Sequence, residues 1–272
     1  YPNLAKERRH APALFLNRGP FGVHAQRQVG KGREFEKLRE YAPGDDYEDI
    51  HWKATARRGK PITKEFQIER TQEVYVVIDS SRLSGREITD ADGESITTQL
   101  ERFVSASLVL ALAAERQGDL FGVVAFDSRV LKFVRAKSGA AHFNTCREAL
   151  YQLQPVDVNP DFDELSTFLH LRLRKRALLI LLTNLDDPVL AESFVSVIGL
   201  VARRHLVLAN MPAPPGVRPI FQGPTVAGVD DIYERLGGHF LWRHIQFVSQ
   251  QLRQRGVALS LLDHSALTAQ LV

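Results

Sequence analysis

The pattern of apolar and polar positions changes at about residue 73. From there, Val74-Tyr75-Val76-Val77-Ile78 forms a continuous apolar run that ends on Asp79-Ser80-Ser81. Such a run reads as a strand covered on both faces. Between about Glu94 and Gln117, Leu100, Phe103, Val104, Ser107, Leu108, Ala111 and Leu112 recur at helical spacing and predict a long amphipathic helix. Leu120–Phe126 and Arg129–Arg135, separated by Asp127-Ser128, predict a hairpin. Helical patterns cover about 140–152 and 161–174, and Ala177–Thr183 is another buried strand. A helix over about 190–203, a strand at His205–Ala209, a Pro/Gly-rich loop from Pro212 to Gly228 and a helix over about 231–255 follow. A strand at Val257–Leu262 and a short terminal helix complete the pattern.

This alternation predicts an α/β fold: a doubly wound, mostly parallel sheet between helices, with the hairpin adding one antiparallel edge strand. Ligands of such sheets sit beyond the carboxyl ends of the strands. Asp79-Ser80-Ser81 and Thr183-Asn184-Leu185-Asp186-Asp187 place two oxygen-rich strand ends on one rim, the best candidate site in the chain.

Residues 21–72 read differently. They are dense in charge of both signs, with scattered apolar positions such as Phe35, Leu38, Tyr41, Ile50, Trp52 and Phe66. Ile62–Ile68 alternates apolar and polar as a half-buried strand does. The expected organisation is a flexible leader over 1–20, a small β-rich segment over 21–72 packed on the core, and the main α/β domain over 73–272.

Composition narrows the classes. The chain has 272 residues, 44% hydrophobic and 25% charged, enough to bury a large core. Cys146 is the sole cysteine, which excludes a disulfide scaffold. No run of 18 apolar residues occurs, so the sequence contains no membrane-spanning helix. The net charge of +3 is too small to argue for nucleic acid, although the isoelectric point is basic. That charge belongs to the leader, where Lys6, Arg8, Arg9 and Arg18 outweigh Glu7. A basic leader of this kind follows a membrane segment on its cytoplasmic side. A solvated terminus is the reading these residues favour on their own. A chain that opens on Tyr1 and has Met211 as its one methionine is expected to be a piece of a longer protein.

Enzyme motifs are missing. There is no Walker A, GxSxG or HExxH pattern, and Gly30-Lys31-Gly32 lacks the strand, helix and ending of a phosphate loop. Cys146 lies beside Ala149 and Leu150 in a helical pattern, which reads as a buried thiol. His239 and His244 are five apart, off the spacing that shares a metal on a helix. Arg172-Leu173-Arg174-Lys175-Arg176 and Arg203-Arg204 fall where helices end, where positive charge suits the dipole. No catalytic residue is assigned.

The order strand–DxS–long helix–strand–hairpin–helix–strand–TN resembles a von Willebrand factor A domain. The front block adds Glu34-Phe35, then Arg39-Glu40-Tyr41-Ala42-Pro43-Gly44-Asp45-Asp46, then Ile50-His51-Trp52-Lys53-Ala54-Thr55-Ala56-Arg57. These runs resemble the signature of the DUF58 family, bacterial proteins of largely uncharacterised function with an A-domain-like core. The resemblance covers about Gly22 to the end of the chain. It implies association with a MoxR-type AAA+ ATPase, and membrane helices upstream in full-length relatives. The implied location is the cytoplasmic face of the membrane.

The resemblance also implies a site. A-domains often bind Mg²⁺ through an Asp-x-Ser-x-Ser run, a loop threonine and a further aspartate, because a hard cation takes oxygen ligands in near-octahedral geometry. Asp79 and Ser81 match the first two positions, Leu83 occupies the third and Ser84 is one residue late. Asn184 stands where the aspartate is expected, with Asp186 and Asp187 displaced. No threonine matches, and the loop around Asp157–Asp161 offers only Asn159 and Asp161. The candidate metal set is therefore degenerate: Asp79, Ser81, Ser84, Asn184, Asp186 and Asp187. The competing reading has Asp79 and Ser81 capping backbone N–H groups at the strand–helix junction.

In the front block the signature departs from the family at Glu48, Asp49 and His51. Tyr41, Pro43, Gly44, Asp45, Asp46, Trp52 and Arg57 are candidate docking residues. The alternative is an internal strut in which Asp45 and Asp46 close a turn and pair with Arg57 or Arg58. The expected function is a non-enzymatic interaction scaffold that docks to a MoxR-type ATPase and assists its action on a client protein. The alternatives are a divalent-metal-dependent hydrolase using Asp79, Asp186 and Asp187, and, less favoured, a nucleic-acid binder resting on the Arg-rich segments.

Overall fold

The computed structural model describes residues 29–42, 47–67, 72–89, 96–214, 216–220, 222 and 228–262. The leader, Pro43-Gly44-Asp45-Asp46 and the expected terminal helix lie outside the described residues. The chain divides into two compact units, one of them Pro20–Thr71 and the other built on Gln72 onward.

In the smaller unit, β1 (Val29–Glu40) pairs antiparallel with β2 (Ile62–Gln67), with Leu38 opposite Lys64 and Glu40 opposite Ile62. The sequence pattern did not mark β1, because its residues alternate charge rather than hydrophobicity. Tyr47–Asp49 forms one 3₁₀ turn and Trp52–Arg58 a short helix, α1, that was also unexpected. Local bonds explain α1. His51 Nδ1 accepts from the Ala54 N–H at 3.0 Å, capping the start. Gly59, at φ 67°, closes the end by donating to the Thr55 carbonyl. The Thr55 hydroxyl then accepts from the Ile62 N–H at 3.0 Å, tying α1 to β2.

The larger unit holds a six-stranded sheet. Its strands are β3 (Glu73–Asp79), β6 (Leu120–Phe126), β7 (Val130–Lys137), β8 (Ala177–Leu182), β9 (Leu206–Pro212) and β10 (Ala258–Leu262). A small separate hairpin pairs β4 (Glu87–Thr89) with β5 (Ile96–Thr98). The sheet order is β10-β9-β8-β3-β6-β7, with every neighbouring pair parallel except β6 with β7. Read from the β7 edge, the six strands follow the doubly wound order 3-2-1-4-5-6 with the third reversed.

The helices are α2 (Gln99–Gln117), α3 (Ala140–Tyr151), α4 (Phe162–Arg172), α5 (Pro188–Ala202) and α6 (Val229–Gln254). Successive strand residues point to opposite faces. Tyr75, Val77, Leu179, Leu181, Val207 and Ala209 join one buried cluster with the apolar sides of α4, α5 and α6. On the other side, α2 packs on β3 and β6, and α3 packs on α2 and β7. The central strands are therefore covered on both faces, which is why they read as unbroken apolar runs.

Helix α2 begins at Gln99, five residues later than the periodicity predicted. Ile96-Thr97-Thr98 forms β5 instead. Thr98 and Glu101 then make a reciprocal capping box, so the helix cannot start earlier. The hairpin strand is shifted to Val130–Lys137, and the front strand runs over Ile62–Gln67, with Ile68 outside the described residues. Other boundaries move by one to three residues. No helix among the described residues is long and apolar enough to cross a membrane.

Candidate functional site

The rim forms where β3 and β8 end side by side, with Ile78 opposite Leu182. Asp79 is the last residue of β3, and it is 0% exposed. Its Oδ1 accepts from the Ser81 N–H at 2.9 Å and its Oδ2 from the Thr183 hydroxyl at 2.7 Å. One carboxylate thus closes the turn after β3 and bolts it to the end of β8. Burial pushes the Asp79 carboxyl above the usual carboxylate range. Hydrogen bonds from Ser81 and Thr183 oppose that push, while the charge of Asp127 adds to it.

The chain then turns through a 3₁₀ segment, Arg82–Gly85. Ser84 turns inward and donates to the Ser81 carbonyl at 2.7 Å, so its hydroxyl serves the turn. Leu83, in the third position of the expected run, is buried in the apolar cluster. On the facing loop, the Asn184 carbonyl accepts from Gln99 Nε2 at 2.7 Å. Asp187 caps α5, its Oδ1 accepting from Val189 at 2.9 Å.

Two arginines that no sequence motif marks complete the rim. Arg86 pairs with Asp186, whose side chain is nearly buried. Arg82 pairs with Asp187 at 3.4 Å and donates to Asn159 Oδ1 at 2.6 Å. Asp161, the other polar candidate of that loop, caps α4 by accepting from the Glu164 N–H at 2.9 Å. The only hint in the sequence was that Arg82 and Arg86 stand four apart just after the strand. Nothing there pointed them at carboxylates a hundred residues away.

The structure therefore gathers Asp79, Ser81, Ser84, Thr183 and Asn184 at one rim and holds Asp186 and Asp187 on its margin. The donor set does not suit a resident Mg²⁺. A hard cation needs free oxygen donors around it. Here Leu83 replaces one, Gln99 occupies the Asn184 oxygen, and both Asp79 oxygens are engaged. Two guanidinium groups hold the remaining carboxylates. Among the described residues no cluster of three or more His, Cys, Asp or Glu side chains could hold a metal ion. Ser81 Oγ and Asp186 Oδ1, with Asn184 Nδ2, are buried without a hydrogen-bond partner among the described residues, and two oxygens alone fall short of the roughly six that a Mg²⁺ takes.

The front-block residues lie in the smaller unit. Tyr41 stacks on Tyr47 with ring centroids 5.8 Å apart. Tyr47 is 73% exposed and Trp52 70% exposed, and Arg57 also faces solvent. Asp45 and Asp46 lie outside the described residues, as does any pairing of theirs with Arg57 or Arg58.

Cys146 is fully buried, 3.4 Å from His142 Nε2, and His142 Nε2 also lies 2.7 Å from the Phe121 carbonyl. Burial pushes the thiol up to about 11, so this Cys–His pair is not an activated nucleophile.

The strand order and the reversed third strand define a doubly wound α/β domain with one antiparallel edge strand, the arrangement that the resemblance to von Willebrand factor A domains implies. Residues 37–211 match the family described as a protein of unknown function, DUF58. That span is more than half of the sequence, and the chain belongs to this family.

Uncharacterized proteins of Mycobacterium bovis and of two Mycobacterium tuberculosis strains are 24% identical over 191 residues. The match covers 69% of this chain and 57% of each relative, so the chain spans little more than half the length of the curated relatives it matches. Among solved structures, the SpRpn10 VWA domain aligns with a TM-score of 0.43 at 8% identity, over 74% of this chain and 95% of that one. BatB, a conserved hypothetical protein from Bacteroides thetaiotaomicron, aligns with a TM-score of 0.44 at 14% identity, over 73% and 95%. An uncharacterized membrane spanning protein from Vibrio fischeri aligns with a TM-score of 0.30 at 16% identity, over 74% and 96%.

Proposed function

We propose that the chain is a non-enzymatic docking scaffold that binds a MoxR-type AAA+ ATPase through its front block and helps that ATPase act on a client protein. The observation that carries this reading is Trp52. It is 70% exposed on a helix fixed by its own caps, inside the span matched to the family. A large exposed aromatic held rigidly has the character of an interface hot spot, because little entropy is lost when a partner covers it. Tyr47 and Arg57 extend the same kind of surface. The identity of the ATPase rests on the DUF58 resemblance.

The state of the rim supports the same reading. Asp79, Asp186 and Asp187 are engaged by hydrogen bonds and arginines, which favours a structural rim over hydrolytic chemistry. The resemblance also supports a location on the cytoplasmic face of the membrane, held there by a segment upstream in the full-length protein. Fractionation of that protein into membrane and soluble pools tests the location.

Co-purification tests the docking. The chain should retain a MoxR-type ATPase in at least one nucleotide state. Failure to associate both with and without nucleotide would overturn the reading.

A further inference from the structure

The end of the sheet opposite the Asp79 rim carries a second feature. β7 is the outermost strand of the sheet, and its far end pairs with the start of β6, Lys137 lying opposite Phe121. The last turn of α4 and the segment leading into β8 reach the same end. Between them is a groove of about 400 Å³ lined by Phe133, Arg135, Leu171, Arg172 and Arg174.

Its floor is apolar and rigid. Phe133 meets Phe168 edge-on at 5.3 Å and lies parallel to Tyr75 at 6.1 Å. Leu171 is 69% exposed, whereas the other apolar residues of its helix are buried or, at Phe168, half-buried. The walls are cationic and come from two separate elements. Arg135 projects from the edge strand, and Arg172, over the Phe168 ring at 5.8 Å, comes from α4. Arg174 follows α4. No ion pair engages these three guanidinium groups among the described residues. The nearby Lys175 reaches Glu73 at 3.9 Å, and Arg204 is turned onto backbone carbonyls of His170 and Arg174.

Two simpler roles explain part of this. Positive charge suits a helix C-terminus, and basic side chains on an edge strand deter edge-to-edge aggregation. Neither accounts for an exposed leucine and a phenylalanine floor flanked by arginines from the edge strand on one side and from the end of α4 on the other. Guanidinium forks match carboxylates with two parallel hydrogen bonds. Among the described residues β7 pairs on one side only, so its outer edge offers backbone groups to an extended chain, and strand addition at such an edge is a recurring mode of peptide recognition.

We propose that this groove docks an extended acidic segment of a partner protein. Its carboxylates pair with Arg135, Arg172 and Arg174, and an apolar side chain between them covers Phe133 and Leu171. The surface is distinct from Trp52 and does not depend on the ATPase reading.

A fluorescently labelled peptide of alternating glutamate and valine is the probe, titrated with the 272-residue chain at low and at physiological salt. The expected result is saturable binding that weakens with salt. The double variant Arg172→Glu/Arg174→Glu should weaken it by at least about tenfold, the loss of one charge-assisted pair or more. Leu171→Ala should weaken it several-fold. Unchanged circular dichroism and thermal midpoint would show that the variants fold, and Arg135→Glu on the other wall provides an independent reading. The proposal is overturned by an absence of binding at low salt, by equal affinity of the arginine variants, or by equal binding of a lysine–valine peptide. Binding of inorganic triphosphate or a DNA oligonucleotide with the same arginine dependence, in place of the peptide, also overturns it.

Discussion

At the scale of single residues, Asp79 is the position from which the rest of the rim follows. It is a buried acid that holds two strand ends together, and burial raises its pKa. Between the ordinary carboxylate value and that raised one, the native state keeps a proton that the unfolded chain has released. The stability it contributes is therefore complete at low pH and is lost as pH rises through the folded pKa. Asp79→Asn keeps both bonds, since its carbonyl accepts from Ser81 and its amide donates to Thr183, and it removes the buried charge. The variant should have a higher thermal midpoint at neutral pH and a flatter stability–pH curve. Asp79→Ala instead orphans two buried donors and should cost about 2 kcal/mol in denaturant titration.

The arginine pairs make a second prediction: calorimetric titration of the native chain with millimolar Mg²⁺ should give no binding isotherm. Cys146 gives a third. With its thiol pushed up to about 11, it should resist alkylation in the folded protein at pH 8 and react only on unfolding.

The Asp79 strand end and its pairing with the Thr183–Asp187 loop were legible in the sequence. They follow from two apolar strands ending in oxygen-bearing residues. Arg82 and Arg86 were not, because a long charged side chain carries no periodic signal and its partner is set by tertiary contact. The same holds for Gln99, whose bond to Asn184 depends on where α2 begins.

At the scale of elements, the strongly apolar strands and the longer helices were readable because their periodicity is enforced by burial. The weakly patterned pieces were not. β1 alternates charges, and α1 has seven residues held by a histidine cap and a threonine side chain rather than by an apolar face. The late start of α2 was in fact encoded: Thr98 and Glu101 form the T-x-x-E signature of a capping box, which outweighs the apolar spacing before it.

Gly122 shows how close the strands come to their covering side chains. It lies opposite Tyr75 on the neighbouring strand, and a Cβ there would sit 2.5 Å from the Tyr75 ring and 2.8 Å from the Ala136 nitrogen. The same Tyr75 hydroxyl accepts from the Ala136 N–H at 3.2 Å. Gly122→Ala must therefore displace either the ring or the backbone of β7. A loss of about 1–3 kcal/mol is expected in denaturant titration. Gly237→Ala, where a Cβ on α6 meets nothing within 4 Å, should show no such loss.

At the scale of the whole molecule, a doubly wound sheet presents its functional surface at strand ends, and here that end is satisfied in part, with Ser81 Oγ, Asn184 Nδ2 and Asp186 Oδ1 left without a partner among the described residues. Two guanidinium groups and a glutamine occupy donors that a metal would require. Among the described residues, Trp52 and Tyr47 of the smaller unit and the arginine-walled groove beside β7 are exposed, as are Val189, Tyr233, Phe240 and Phe247 on α5 and α6. Family membership was legible from the front-block signature and the strand order, yet the chemistry was not, since the family itself has no assigned function.

The most direct test of the account is an equilibrium binding measurement between the purified chain and a MoxR-type AAA+ ATPase, made with and without a chelator of divalent cations added to the chain before mixing. Binding should survive chelation and drop by about thirtyfold in Trp52→Ala, as for an aromatic hot spot worth about 2 kcal/mol. Binding that requires a divalent cation at the Asp79 rim, or that is unchanged in Trp52→Ala, would contradict it.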